Sequence, residues 1–432
     1  MTYSTPRLHT GLRNKVRYMN RKQIRSIAIV AITIIVFGCA SKINYHFQPA
    51  GRRVYTGLEN FISGQAKLYS GKKAVLITNH SGVDYNLRQN LQLLREQGIE
   101  ISLALAPEHG IYGYDDDINY QHYMHDKAAN LNVYNLYKTD RNALKDLLKS
   151  VDIVIFDIQD MGMRCYTYIT NLKDIMDSLN GLKTELIVLD RPNPVGFLGV
   201  DGPFREASVA SHYVSAFPAP FLYGMTIGES ASYYRGEFTP DVKLTVIRMT
   251  GYTGGMLYHE TRLPWIPPSP NLPTYESAVV YTAIVLLEGV NLSLGRGTPK
   301  PFEYIGAPWI EPVLFCKLLN DLNLENFKFR PVYFKPQYSR YAGMACGGAQ
   351  IFFTGGKFSP TEAAYRIIGS LMKNYSYARW TVHGSLYTID SLAGTDKFRL
   401  FLLAGKPYEE FYKETCIEML AYEKKRKKYL LY

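Results

Sequence analysis

The sequence is missing the signatures that most often reveal a function. No GxGxxG follows an apolar run and no GxxxxGK[ST] occurs, so neither a dinucleotide nor a nucleoside triphosphate is expected to bind. HExxH and GxSxG are also missing, which removes the usual support for a zinc protease or a serine hydrolase. Cysteine is scarce, with 5 in 432 residues and no CxxC pair, so no metal site is expected. Cys165, Cys316, Cys346 and Cys416 read as buried free thiols. No cofactor is called for. Tryptophan is rare as well, with 3 copies against 35 tyrosines. A tyrosine offers a flat apolar face and a hydroxyl, which suits a sugar, although most of the 35 read as core.

Charge is lacking where a nucleic-acid binder would need it. The net charge is +11, but residues 1–25 hold seven Lys/Arg and no acid, and Lys424 to Lys428 contribute five more. What remains is close to neutral, so no nucleic-acid partner is expected. The basic tail reads as a solvated helix end.

The N-terminus reads as an export signal. Arg21, Lys22 and Arg25 precede an apolar run from Ile27 to Phe37. That run is shorter than the ~20 residues needed to span a bilayer. Val36-Phe37-Gly38-Cys39 looks like a relaxed lipoprotein box, with Cys39 the lipidated residue; an uncleaved anchor is the alternative. Residues 1–39 are expected to be a signal peptide or membrane anchor and 40–55 a polar tether. The chain is expected to be exported and membrane-anchored, as a periplasmic lipoprotein.

From residue 56 the pattern becomes regular. The apolar runs Ala74–Thr78, Ile101–Leu105, Asp152–Phe156 and Glu185–Leu189, with Asn132–Leu136 a weaker candidate, alternate with helical stretches such as 87–96. Short continuous apolar runs of this kind describe buried parallel strands joined by crossover helices. The fold class is therefore α/β, a Rossmann-like parallel sheet over residues 56–275. A second, smaller α+β domain, residues 276–432, follows the Pro-rich stretch Pro264–Pro273. It contains the apolar stretch Gln350–Thr354 and a helix opened by Ser359-Pro360-Thr361-Glu362.

In doubly wound sheets ligands bind beyond the carboxyl ends of the strands. Here those ends deliver Asn79 and His80, Glu108 and His109, Asp157 and Gln159, and Asp190, Arg191 and Asn193. Glu108, just past a buried strand, is a candidate general acid if desolvation raises its pKa, or else a helix cap. Asp157, Gln159, Arg164, Tyr166 and Tyr168 either grip and stack on a sugar or form a buried network; Asp160 reads as network. Arg191 either holds Asp190 or meets an anionic substrate group. Arg296, between Gly295 and Gly297, is a second candidate for that task, and its glycines serve a ligand approach or a tight turn equally well. Glu229 and Glu288 read as solvated helix positions, and neither His80 nor His109 is given a catalytic part.

Taken together, Thr78–Asp84, Pro107–Gly110, Asp157–Asp160, Arg164–Tyr168, Leu189–Pro194, Gly224–Glu229, Pro268–Asn271, Gly295–Thr298 and Pro301–Glu303 resemble the NamZ (formerly YbbC) exo-β-N-acetylmuramidases. The resemblance runs in order from about residue 55 to the end. It implies a Rossmann-like domain, a smaller C-terminal domain and a cleft between them. It also implies release of terminal N-acetylmuramic acid from peptidoglycan fragments, with Glu108 as the leading catalytic acid. A second group, Asp157 or a hydroxyl of Tyr166 or Tyr168, is expected to assist at the anomeric carbon. Asn79, His109, Gln159, Arg164, Tyr168, Asp190, Arg191, Asn193, Asn271 and Arg296 become substrate contacts. Cys165 stands where the family has an aromatic residue, Tyr223 where it has His, and Leu294 where it often has Glu. The alternatives are a hydrolase of another wall amino sugar and a non-catalytic muropeptide-binding lipoprotein.

Overall fold

The computed structural model describes residues 53–114 and 123–432, and Arg53–Tyr432 form one compact unit. Cys39 and the expected anchor and tether up to residue 52 lie outside the described residues. The chain enters its first helix, Gly57–Gly64, through a capping box: Thr56 Oγ1 accepts from the Glu59 amide while the Glu59 carboxylate accepts from the Thr56 amide.

The strands of the first part are Lys73–Thr78 (β1), Glu100–Ala106 (β2), Tyr123–Asp126 (β3), Leu131–Asn135 (β4), Ile153–Asp157 (β5), Glu185–Leu189 (β6), Val200–Phe204 (β7), Pro220–Tyr223 (β8) and Lys243–Ile247 (β9). Seven of them form one sheet in the order β3-β4-β2-β1-β5-β6-β9. All pairings in it are parallel except β3 with β4. The apolar runs are the strands because both faces are covered: every residue of β5, and Ala74 to Thr78 of β1, is buried. Strand β9 and the hairpin β7–β8 carry shorter or mixed patterns and were not legible in advance. The helix expected over 87–96 begins only at Asn90. A tight turn holds the start back: Asp84 Oδ1 accepts from the Arg88 amide at 2.8 Å, and Leu87 takes a left-handed φ of 63°.

The helix Tyr275–Ile284 continues as a 3-10 turn, Val285–Gly289. Beyond it, Tyr304–Ala307 (β10), Phe327–Phe334 (β11) and Cys346–Phe353 (β12) form an antiparallel sheet in the order β10-β12-β11. Ser359 caps the helix Pro360–Asn374 by accepting from the Glu362 amide, as its sequence predicts. One buried cluster runs through both parts, from Val75 and Phe156 to Phe315 and Ile351. The last helix, Tyr408–Arg426, leaves Lys424, Lys425, Lys427 and Lys428 exposed at its end.

Candidate active site

Glu108 follows β2 in a turn where His109 and Gly110 both adopt left-handed φ values, 72° and 74°. The turn places Glu108, half-buried, on the wall of a cavity of about 420 Å³. The loop after β5 supplies Cys165, Tyr166 and Thr167, and the Pro-rich stretch supplies Ser269, Asn271 and Leu272. Tyr281, Arg296, Phe302, Tyr338 and Ser339 close it from the C-terminal part. Among the described lining residues Glu108 is the only carboxylate. Its Oε2 accepts a hydrogen bond from Thr167 Oγ1 at 2.8 Å, which fixes one carboxyl oxygen and leaves the other for a ligand.

Arg296 is held on the wall by a hydrogen-bonded ion pair with Glu288, and its guanidinium lies 4.6 Å from the centre of the Phe302 ring. Burial works against its charge, but Glu288 more than offsets this and raises its pKa. Glu288 is thus a partner rather than a solvated helix position. The flanking glycines serve the turn: a Cβ on Gly297 would stand 2.7 Å from the Tyr338 amide nitrogen, and Gln337 donates to the Gly297 carbonyl at 2.9 Å. Tyr338 in turn donates to Asn271 Oδ1 at 2.9 Å. Tyr166 packs edge-on against Tyr168 and Tyr281. Burial, then the adjacent Tyr168, hold its phenol well above the ordinary range, so it is a neutral group. Burial likewise pushes the Cys165 thiol up to about 12, which leaves it protonated and unreactive.

The remaining strand-end residues do not line this cavity. Asp157 is fully buried and salt-bridged to Arg191, with Nε 2.6 Å from Oδ1 and Nη2 3.0 Å from Oδ2; Asn90 adds a third bond at 2.7 Å. Fully buried, bonded through both oxygens and absent from the cavity lining, Asp157 is no second catalytic group facing the cavity, and Arg191 is not free to meet an anion there. Nor does Arg191 hold Asp190 by its side chain: Asp190 accepts from Thr226, Tyr432 and two backbone amides, and burial raises its pKa to about 7. Gln159 donates to the carbonyls of Asp160 and Pro192. Asn193 donates to Met225 and accepts from the Val195 amide, so both amides shape loops. Tyr168 accepts from Asn79 Nδ2 at 3.0 Å and donates to the Pro268 carbonyl at 2.6 Å, which commits both residues behind the wall. Arg164 is fully buried, donating to Ser215 Oγ and the Leu392 carbonyl; burial drives its pKa down to about 10. His80 donates through Nε2 to the Pro267 carbonyl at 2.6 Å. Glu229 caps the helix Ile227–Glu237 in a buried box with Thr226, not on a solvated face.

The family description "Exo-beta-N-acetylmuramidase NamZ, N-terminal" matches residues 74–276, and its C-terminal counterpart matches 279–432. The chain belongs to the NamZ family. It is 37% identical over 385 residues to the Bacillus subtilis (strain 168) protein named "Peptidoglycan beta-N-acetylmuramidase NamZ", covering 88% of this chain and 92% of that one. A solved DUF1343 family protein from Bacteroides fragilis is similar with a TM-score of 0.80 at 31% identity, over 89% of this chain and all of that one. A second from the same organism gives 0.67 at 28%, over 88% and 99%.

Within this NamZ-family chain, the cavity brings together Glu108, His109, Tyr166, Asn271 and Arg296 of the residues read from the sequence. It adds Thr167, Ser269, Leu272, Tyr281, Phe302, Tyr338 and Ser339, which that reading did not assign. Thr167 and Ser269 lie inside motifs already singled out, so the signal was present. Tyr281 and Tyr338 had none, because each is one of many tyrosines and reaches the wall only through tertiary packing. Of the three departures from the family pattern, Cys165 lines the cavity. Tyr223 is buried and hydrogen-bonded to Asp160, and Leu294 is core.

Proposed function

We propose that this chain removes terminal N-acetylmuramic acid from the non-reducing end of peptidoglycan fragments, with Glu108 as the acid. The observation that carries the reading is that the described wall of one cavity of about 420 Å³ holds the Glu108 carboxylate together with a held arginine. That volume is at the low end for small-molecule sites, which suits one substituted sugar at a chain end. Family membership and the Bacillus subtilis relative's name support the same substrate.

In this reading Glu108 gives its proton to the glycosidic oxygen as the C1–O bond breaks and its electron pair goes to the leaving sugar. Thr167 keeps the carboxyl turned towards that oxygen. Among the described residues the wall carries no second carboxylate, and in this reading the 2-acetamido carbonyl of the substrate itself takes the nucleophile's place at C1; water then opens the ring so formed, returning a proton to Glu108. Tyr166, held neutral, donates a hydrogen bond and does not attack. Arg296 pairs with the lactyl carboxylate that separates muramic acid from glucosamine. Turnover of a chromogenic N-acetylmuramide by Glu108→Gln tests the acid: activity within a few-fold of the parent rejects it. The first-formed anomer, read by NMR, tests the acetamido step, for which retention is expected.

We further propose that the chain is exported and stays at the membrane through residues 1–39, as a lipoprotein acylated on Cys39. The basic segment, the apolar run and the Cys box support this.

A further inference from the structure

The sheet edge away from Glu108 carries features the glycosidase site does not use. Edge strand β9, with Tyr429 and Leu431, bounds a pocket of about 260 Å³ flanked by Arg235 and Arg248. Both arginines are exposed, and the floor residues Leu244 and Val246 are half-buried.

The helix Tyr408–Arg426 turns an apolar row outward: Tyr412, Ile417 and Leu420 are 41%, 72% and 55% exposed. Tyr412, Cys416 and Leu420 recur every four residues and so share a face. Lys413 and Lys424 stand along the same exposed side, and Lys427 and Lys428 follow the helix end. The acids Glu409, Glu410 and Glu414 are drawn into ion pairs with Arg366, Lys406 and Lys397. Lys425 pairs with Glu237, and Glu418 borders the row.

The chain enters its fold beside the end of β9. Val54 clusters with Met249 and Tyr252 against Tyr432. Four residues, at most about 15 Å of chain, separate Tyr432 from Lys428, and fourteen, at most about 50 Å, separate Arg53 from Cys39. A tether of that length allows this face to reach a bilayer that holds Cys39.

We propose that this face docks on an anionic phospholipid bilayer. Arg235, Arg248, Lys424, Lys427 and Lys428 meet lipid phosphates, and Tyr412, Ile417 and Leu420 enter the headgroup boundary. Strands β9 and β2 stand four places apart in the sheet, roughly 20 Å. The cavity beyond β2 is thus held off the lipid, towards the wall. The inference uses the anchored N-terminus proposed above, and the test separates the two.

A Leu420→Trp reporter in the full chain is mixed with vesicles of brominated phosphatidylglycerol or brominated phosphatidylcholine, with the parent signal of Trp265, Trp309 and Trp380 subtracted. The chain is expected to float with both lipids through its anchor, while the reporter is quenched only by phosphatidylglycerol. A Lys424→Glu, Lys427→Glu, Lys428→Glu variant should lose most of that quenching and keep its turnover of a soluble glycoside, which shows that it is folded. No quenching by phosphatidylglycerol overturns the proposal. So does quenching that is equal in both lipids and survives charge reversal, or burial of the reporter in a lipid-free dimer. Quenching by phosphatidylglycerol without flotation on phosphatidylcholine supports the face and rejects the anchor.

Discussion

The cavity wall and the polar cluster behind it are built from the same strand ends yet treat their charges in opposite ways. Behind the wall, Asp157 spends its carboxylate on Arg191 and Asn90, and Asp190 on four donors. On the wall, Glu108 has one oxygen held by Thr167, and Arg296 is steadied by Glu288 at its rim. Buried charges must be matched or they unfold the protein; a reacting group must keep a free atom. Position past a strand end does not distinguish the two, but the count of partners does.

The sharpest way to break this contrast is to change one acid on each side. Glu108→Gln should lower kcat by about 10²–10⁴-fold and leave the melting temperature near that of the parent, read by glycoside turnover and calorimetry. Asp157→Asn should do the reverse. It leaves the Arg191 charge buried without a counter-ion, at about 3–5 kcal/mol by denaturant titration, while KM of the remaining folded enzyme is unchanged. A swap of these outcomes would refute the assignment of Glu108 to the wall and Asp157 to the support.

Asp160 sharpens the comparison through pH. Burial raises its carboxyl to about 6, against Tyr223 and two backbone amides that lower it. The folded chain therefore holds a proton that the unfolded chain has released above about pH 4. Its contribution to stability is full below that value and falls away as pH rises towards 6, by up to about 3 kcal/mol. Asp160→Asn, which cannot ionise, should make the stability profile less steep between pH 4 and 6, leaving the share that Asp190, raised to about 7, contributes there; an unchanged slope would show that Asp160 contributes none of it. On the wall, Arg296→Met should raise KM for an N-acetylmuramide about 10–100-fold and barely alter that for an N-acetylglucosaminide. Equal effects on both sugars would remove the lactyl contact. The smallest change expected is for Thr167→Val, about fivefold in kcat from one lost hydrogen bond, with Thr167→Ser restoring most of it.

Much of this was legible beforehand. The runs Ala74–Thr78, Ile101–Leu105, Asp152–Phe156 and Glu185–Leu189 became β1, β2, β5 and β6 because a strand buried on both faces must be apolar throughout. Lys243–Ile247 escaped notice since it is an edge strand with a polar start and half-buried residues. The end of the sheet at which the candidate cavity lies was legible for the same reason as the sheet, from polar clusters trailing apolar runs. Arg164, Gln159 and Asp190 were misread because an acid, amide or guanidinium past a strand has the same sequence signature whether it faces a ligand or a loop carbonyl.

The sequence by itself determined the parallel sheet, the family and the turn that carries Glu108, since each rests on local pattern or a contiguous motif. Only the tertiary structure decided which charges are spent on one another and which face the cavity. Those pairings join residues far apart in the chain, such as Asp157 with Arg191 or Arg164 with Leu392. Whether a carboxylate is free depends on what the fold brings within about 3 Å of it.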